Sequence, residues 1–98
     1  MTPRIDAHQH FWRFDPARYR WIGAHMPQLR QDYLPEHLAP LLAAHGLDGS
    51  IAVQARADSE ETDELLALAA NSPWIRAVVG WADLRSPGLA SQLQRWST

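Results

Sequence analysis

Three short apolar runs, each followed by a helical pattern, constrain this 98-residue chain more than any other feature. The runs are Arg4 to His8, Gly49 to Ala55 and Ile75 to Trp81. They are short and partly β-branched, which suits strands buried in a parallel sheet. After the first run, Leu34, Leu38, Leu41 and Leu42 recur on one helical face. Pro35 sits in the first turn of that helix, where a missing N–H costs nothing, and Gly46 follows its end as a cap. A second helix is predicted from Asp58 or Ser59, with Asp58 and Glu61 at capping-box spacing and Ser72-Pro73 as the stop. Its apolar side is Leu65, Leu66, Leu68 and Ala69. A third is expected to start at Ser86-Pro87 and to carry Leu89, Leu93 and Trp96 on one side. The order β-α-β-α-β-α implies an α/β fold with a parallel sheet and right-handed crossovers. Its apolar strand faces outnumber the helices available to cover them, so the chain is expected to be an incomplete portion of a larger domain.

The connection from Phe11 to Leu34 is far longer than strand-to-helix loops usually are. It holds Phe11, Trp12, Phe14, Tyr19, Trp21 and Tyr33, so its composition is that of an ordered segment. Such loops at the carboxyl ends of parallel strands shape binding sites. His8 and His10 lie at the mouth of that end. Two residues apart on extended chain, they project from the same face, with Gln9 opposite. By strict alternation Asp6 joins them, while Ile5 and Ala7 face the helices. Two neutral imidazoles so placed can hold a divalent ion such as zinc. The plainer alternative is that both rings bond to loop backbone and bind nothing.

Composition narrows the partners. The net charge is -2, and the arginines between Arg4 and Arg30 are dispersed rather than clustered, which argues against nucleic acid. No apolar run approaches membrane-spanning length, and Met1-Thr2-Pro3-Arg4 leads straight into a strand without a signal-peptide pattern. The absence of cysteine removes disulfides and thiolate metal sites. A cytoplasmic protein acting on a small molecule is the expectation, with the oligomeric state left open.

The segments Ile5-Asp6-Ala7-His8-Gln9-His10-Phe11-Trp12, Asp15-Pro16, Trp21-Ile22, Asp32-Tyr33-Leu34-Pro35, Val53-Gln54-Ala55 and Val79-Gly80-Trp81-Ala82-Asp83-Leu84 resemble the amidohydrolase-related family of hydrolases, in its sugar-lactonase branch. The resemblance runs through the chain in order. It implies that residues 1–98 are the N-terminal part of a single domain, the first three βα units of a (β/α)8 TIM barrel. It implies hydrolysis of a sugar-acid lactone of the L-fucono- or L-rhamnono- type, with water activated by a metal or a carboxylate. His8 and His10 then match the first-strand metal histidines, with zinc the first choice of ion. The catalytic base and remaining ligands are expected beyond Thr98, so the isolated chain is expected neither to turn over lactones nor to bind zinc tightly.

Other side chains are candidates for substrate contact. Gln54 shares parity with Ala52 and is expected to point inward, as a hydrogen-bond partner for substrate hydroxyls or simply satisfied within the barrel. Trp12 either walls the pocket or packs the loop, and Trp81 ends the third strand. Arg56 and the Glu60-Glu61-Asp63 run read as solvated, as does His25, while His37 and His45 read as structural. The same barrel also serves decarboxylases and other ester or amide hydrolases. A small α/β binding module without catalysis would carry a Gly-rich phosphate loop after the first strand, and Gly23 is the only glycine there. A fragment without activity of its own is the remaining reading.

Overall fold

The computed structural model describes residues 2–97, so Met1 and Thr98, the ends of the expected domain, lie outside the described residues. The strands are β1 (Ile5–Gln9), β2 (Gly49–Val53) and β3 (Ile75–Val79), and the helices are α1 (Pro35–Ala44), α2 (Ser59–Asn71) and α3 (Leu89–Trp96). They form one parallel sheet in the order β1-β2-β3. Each strand ends a little off its sequence estimate, while the alternation of strands and helices is as expected.

Local chemistry sets the helix ends. Leu34 N–H donates to His37 Nδ1 at the start of α1, and Gly46 adopts φ 68° just past its end. That left-handed conformation is cheap for glycine. Asp58 Oδ1 accepts from Glu61 N–H at 2.8 Å, the N-cap bond that its spacing predicts. The third helix begins later than Ser86-Pro87. Ser86 instead forms a turn, with Leu89 N–H reaching its carbonyl, and Gly88 is the cap.

The core lies between the sheet and the helices, where Phe11, Ala52, Leu65 and Ile75 are buried with Leu38, Leu68, Trp74 and Val78 against them. A second cluster lies inside the long loop: Trp12, Tyr19 and Ile22, flanked by Phe14, Met26, Leu29 and Tyr33. The molecule is a slab of 44 × 39 × 18 Å. It exposes 6653 Å², about 1,000 Å² more than a compact monomer of its size. The excess fits a sheet with helices on only one side. Among the described residues no helix is long and apolar enough to cross a membrane.

Candidate active site

The faces of the sheet follow from its register. β1 pairs with β2 at Ile5–Gly49, Asp6–Ser50 and Gln9–Ala52, with a shift between Asp6 and Gln9. Paired residues of parallel strands share a face. Ser50 and Ala52 are fully buried, and Ala52 packs in the helix-side core, so that face belongs to the helices. Asp6 and Gln9 therefore both lie on the helix side, and Gln9 Nε2 donates to Asp6 Oδ2 at 2.9 Å. This corrects the strict alternation that grouped Asp6 with the histidines, because the irregularity between them inserts one residue.

His8 and His10 remain together. Their ring centroids are 5.0 Å apart in an edge-to-face arrangement. His8 is exposed and His10 half-buried. His10 Nδ1 lies 3.0 Å from the carbonyl oxygen of Val53, the last residue of β2. A carbonyl can only accept, so the proton of a neutral His10 sits on Nδ1 and the lone pair is left on Nε2. Backbone bonding of this kind orients metal-binding histidines. Among the described residues, no group of three or more His, Asp or Glu side chains is placed to hold a metal. The chain thus presents two donors, matched in type to zinc and short of a closed tetrahedral set.

β3 carries a matching irregularity. It pairs as Ser50–Ile75, Ile51–Ala77, Ala52–Val78 and Val53–Val79. Val78 consequently faces the helices and Val79 the open side, where it is 52% exposed. Sequence alone could not rank these two valines.

The substrate-contact candidates fare differently. The premise for Gln54 fails, since its parity partner Ala52 is on the helix side, and its amide donates to Arg56 O at 3.3 Å. Trp12 is 6% exposed, its Nε1–H donates to Gln31 O at 2.9 Å, and it exchanges backbone bonds with Tyr33. These contacts pack it into the loop, and it also lines a cavity of ≈ 250 Å³ with Phe11, Leu34 and Leu65. Trp81 is held by its backbone, which both donates to and accepts from Thr62 Oγ1 at 2.8 Å. It borders a cavity of ≈ 390 Å³ with Val78, Leu93 and Trp96, and so lies on the helix side rather than on the open face. A Cβ on Gly80 would come within 2.5 Å of Thr62, so this close approach requires glycine.

Two residues read as solvated are in fact buried. Glu61 is 1% exposed, and its carboxylate accepts from Ala55 N–H at 2.8 and 2.9 Å and from Arg56 N–H at 3.0 Å. Burial pushes its pKa above the ordinary carboxylate value, against the lowering effect of the Arg56 and Ala55 N–H bonds. Arg56 reaches Asp58 Oδ2 at 2.7 Å and Glu64 Oε2 at 3.1 Å, and its guanidinium lies 5.0 Å over the ring of Tyr19. Burial disfavours its charge, but Tyr19, Glu64 and Asp58 outweigh that and hold its pKa above the ordinary value. Arg18, from the loop, adds bonds to Glu60 and to Glu64, the latter at 2.8 Å. Together these contacts clamp the loop and the end of β2 onto α2. The alternation of acidic residues along α2 gave no signal of this, because Glu60, Glu61 and Glu64 look equally polar in sequence. The capping-box spacing singled out Glu61, but its side chain turns to the β2 end instead of back to Asp58.

Comparison with known proteins connects this arrangement to others. No family model matches the chain. It is 56% identical to an amidohydrolase from Burkholderia multivorans crystallised with bound zinc, with a TM-score of 0.92 over 97% of this chain and 34% of that one. Its three parallel strands and the helices between them match the first βα units of that amidohydrolase TIM barrel. A second crystal structure of such an amidohydrolase, with bound HEPES, superposes with a TM-score of 0.93 over 97% of this chain and 33% of that one. Among curated relatives, the chain is 57% identical over 93 residues to the L-fucono-1,5-lactonase of Burkholderia multivorans (strain ATCC 17616 / 249), covering 95% of this chain and 31% of that protein. It is 41% identical over 86 residues to the L-fucono-1,5-lactonase of Burkholderia ambifaria (strain ATCC BAA-244), covering 88% of this chain and 30% of that protein. The chain spans about a third of the length of the relatives it matches.

Proposed function

We propose that the barrel to which these βα units belong hydrolyses a sugar-acid lactone of the L-fucono- or L-rhamnono- type, with residues 1–98 forming part of that single domain. The carrying observation is the His8–His10 pair at 5.0 Å, with His10 Nδ1 turned to the Val53 carbonyl and Nε2 left free. The relatives' names supply the substrate class. His8 and His10 would hold a zinc ion, as a bound zinc in the similar amidohydrolase suggests. When bound, such an ion polarises a carbonyl and lowers the pKa of water.

The chain's own residues supply positioning. The Val53 carbonyl orients His10, and the carboxylate of Glu61 fixes the backbone immediately after β2. The exposed His8 and the half-buried His10 then stand together at the end of β1, where the aromatic loop begins. Two ligands do not complete a site, so the 98-residue chain alone is expected to lack turnover. A small-molecule substrate, a place in carbohydrate metabolism and a cytoplasmic location complete the reading, supported by the lactonase relatives and the cysteine-free composition.

The test is a fusion of this chain to the part of the B. multivorans lactonase that follows the matched segment. It should open L-fucono-1,5-lactone, read as acid release, and contain zinc by elemental analysis. His8→Ala and His10→Ala should each lower kcat/KM by about 100-fold or more and lower the zinc content. A folded fusion that releases carbon dioxide from a carboxylic-acid substrate but opens no lactone would assign the barrel to decarboxylation instead. Full turnover with both histidines removed would refute the metal-site reading.

A further inference from the structure

The long loop spends most of its aromatic residues on its own core. Trp12, Tyr19 and Ile22 are all buried. Trp21, between Arg20 and the buried Ile22, is the exception at 48% exposed. It is exposed without being free. Its Nε1–H donates to the Ala55 carbonyl at 2.9 Å, and its ring meets Trp12 edge-on with centroids 5.8 Å apart. The anchoring segment is itself fixed, because Ala55 N–H is bonded to both oxygens of the buried Glu61.

The anchor also locates the ring. Ala55 lies two residues beyond Val53, whose carbonyl meets His10. Two residues of chain can span at most roughly 7 Å. The indole and the histidine pair are therefore tied to neighbouring carbonyls at the same end of β2. A large aromatic ring held rigidly but left unburied can bind a partly apolar ligand at low entropic cost. The C–H face of a sugar-acid ring is such a ligand.

We propose that Trp21 is a specificity-determining residue, a stacking platform for the ring of the substrate next to the His8–His10 pair. The proposal rests on the lactonase reading given above. Its indole N–H is consumed by Ala55, so recognition comes from the ring face and not from a hydrogen bond. Substrates with a ring face should therefore depend on it, and open-chain esters should not.

The fusion that tests the lactonase reading also tests this one, with Trp21→Phe and Trp21→Leu. Trp21→Leu should raise KM for L-fucono-1,5-lactone about ten-fold, with kcat changed less than about three-fold. Trp21→Phe, which keeps a ring but loses the bond to Ala55, should recover most of the affinity. Turnover of a small open-chain ester, where the fusion shows it, should be unaffected by either change. An unchanged KM in Trp21→Leu overturns the platform while leaving the lactonase reading intact. Equal losses in both variants, or losses in kcat alone, also overturn it by assigning Trp21 a purely structural role. If the unsubstituted fusion folds and opens no lactone, the underlying reading fails, and the platform with it.

Discussion

The long loop after β1 and the third helix are connected to the same sheet, yet they are held in opposite ways. The loop carries its own apolar core and is clamped to α2 by Arg18 and Arg56. In α3 no residue is buried, Leu93 is 49% exposed, and the bond from Trp96 Nε1–H to Asp63 at 2.7 Å ties the helix to α2. A loop, usually the softer element, is here better packed than a helix. Regular backbone bonding does not by itself secure an element, and most helical stability comes from burying a face. The loop has buried its apolar side chains within this chain. The apolar stripe of α3 is only partly covered by it.

The sharpest way to break this contrast is to remove the centre of the loop core. Tyr19→Ala should cost about 3–5 kcal/mol in the stability of the loop, as for other buried aromatic truncations. Native-state hydrogen exchange should show it as lost protection at Trp12 and Tyr33, whose backbones bond to each other. Protection that survives the substitution would mean that the loop is held by its clamps alone.

A smaller effect comes from pH. Burial chiefly pushes the Tyr19 hydroxyl up from 10.0 to about 12. A group raised in the folded state gives stability that is complete below its unfolded value and is lost as pH climbs through the folded one. The loop should therefore loosen between pH 10 and about 12, at a cost of about 2–3 kcal/mol. Tyrosinate absorbance and near-ultraviolet circular dichroism should change together across that window. A Tyr19 that ionises like a free tyrosine would remove the case for its burial.

The smallest effect should be on α3. Leu93→Ala is expected to change stability by less than about 1 kcal/mol, because the side chain is half exposed. Urea unfolding of the chain measures it directly. A loss matching that of Tyr19→Ala would show that α3 is packed as firmly as the loop, and the contrast would collapse.

Much of the architecture was legible from residue order. Period-2 and period-3.6 patterns, Pro35 and Gly46 around α1, and Asp58 at the start of α2 are local signals, readable without knowing what lies nearby. The pairing of His8 with His10 was legible for the same reason, since both sit on one short extended segment. Position in the chain could not show which sheet face each strand residue takes after an irregularity. Asp6 and Val79 were decided by register with a neighbouring strand, and a one-residue shift reverses the side.

Burial of charge likewise belonged to tertiary structure alone. Glu61 and Arg56 resemble any other exposed pair in a polar stretch until the end of β2 turns its N–H groups toward one and Tyr19 its ring toward the other. Sequence determined which backbone elements form, because capping and periodicity act within a few residues. Only the assembled sheet, loop and helix decided which polar groups they enclose, because that depends on partners dozens of residues away.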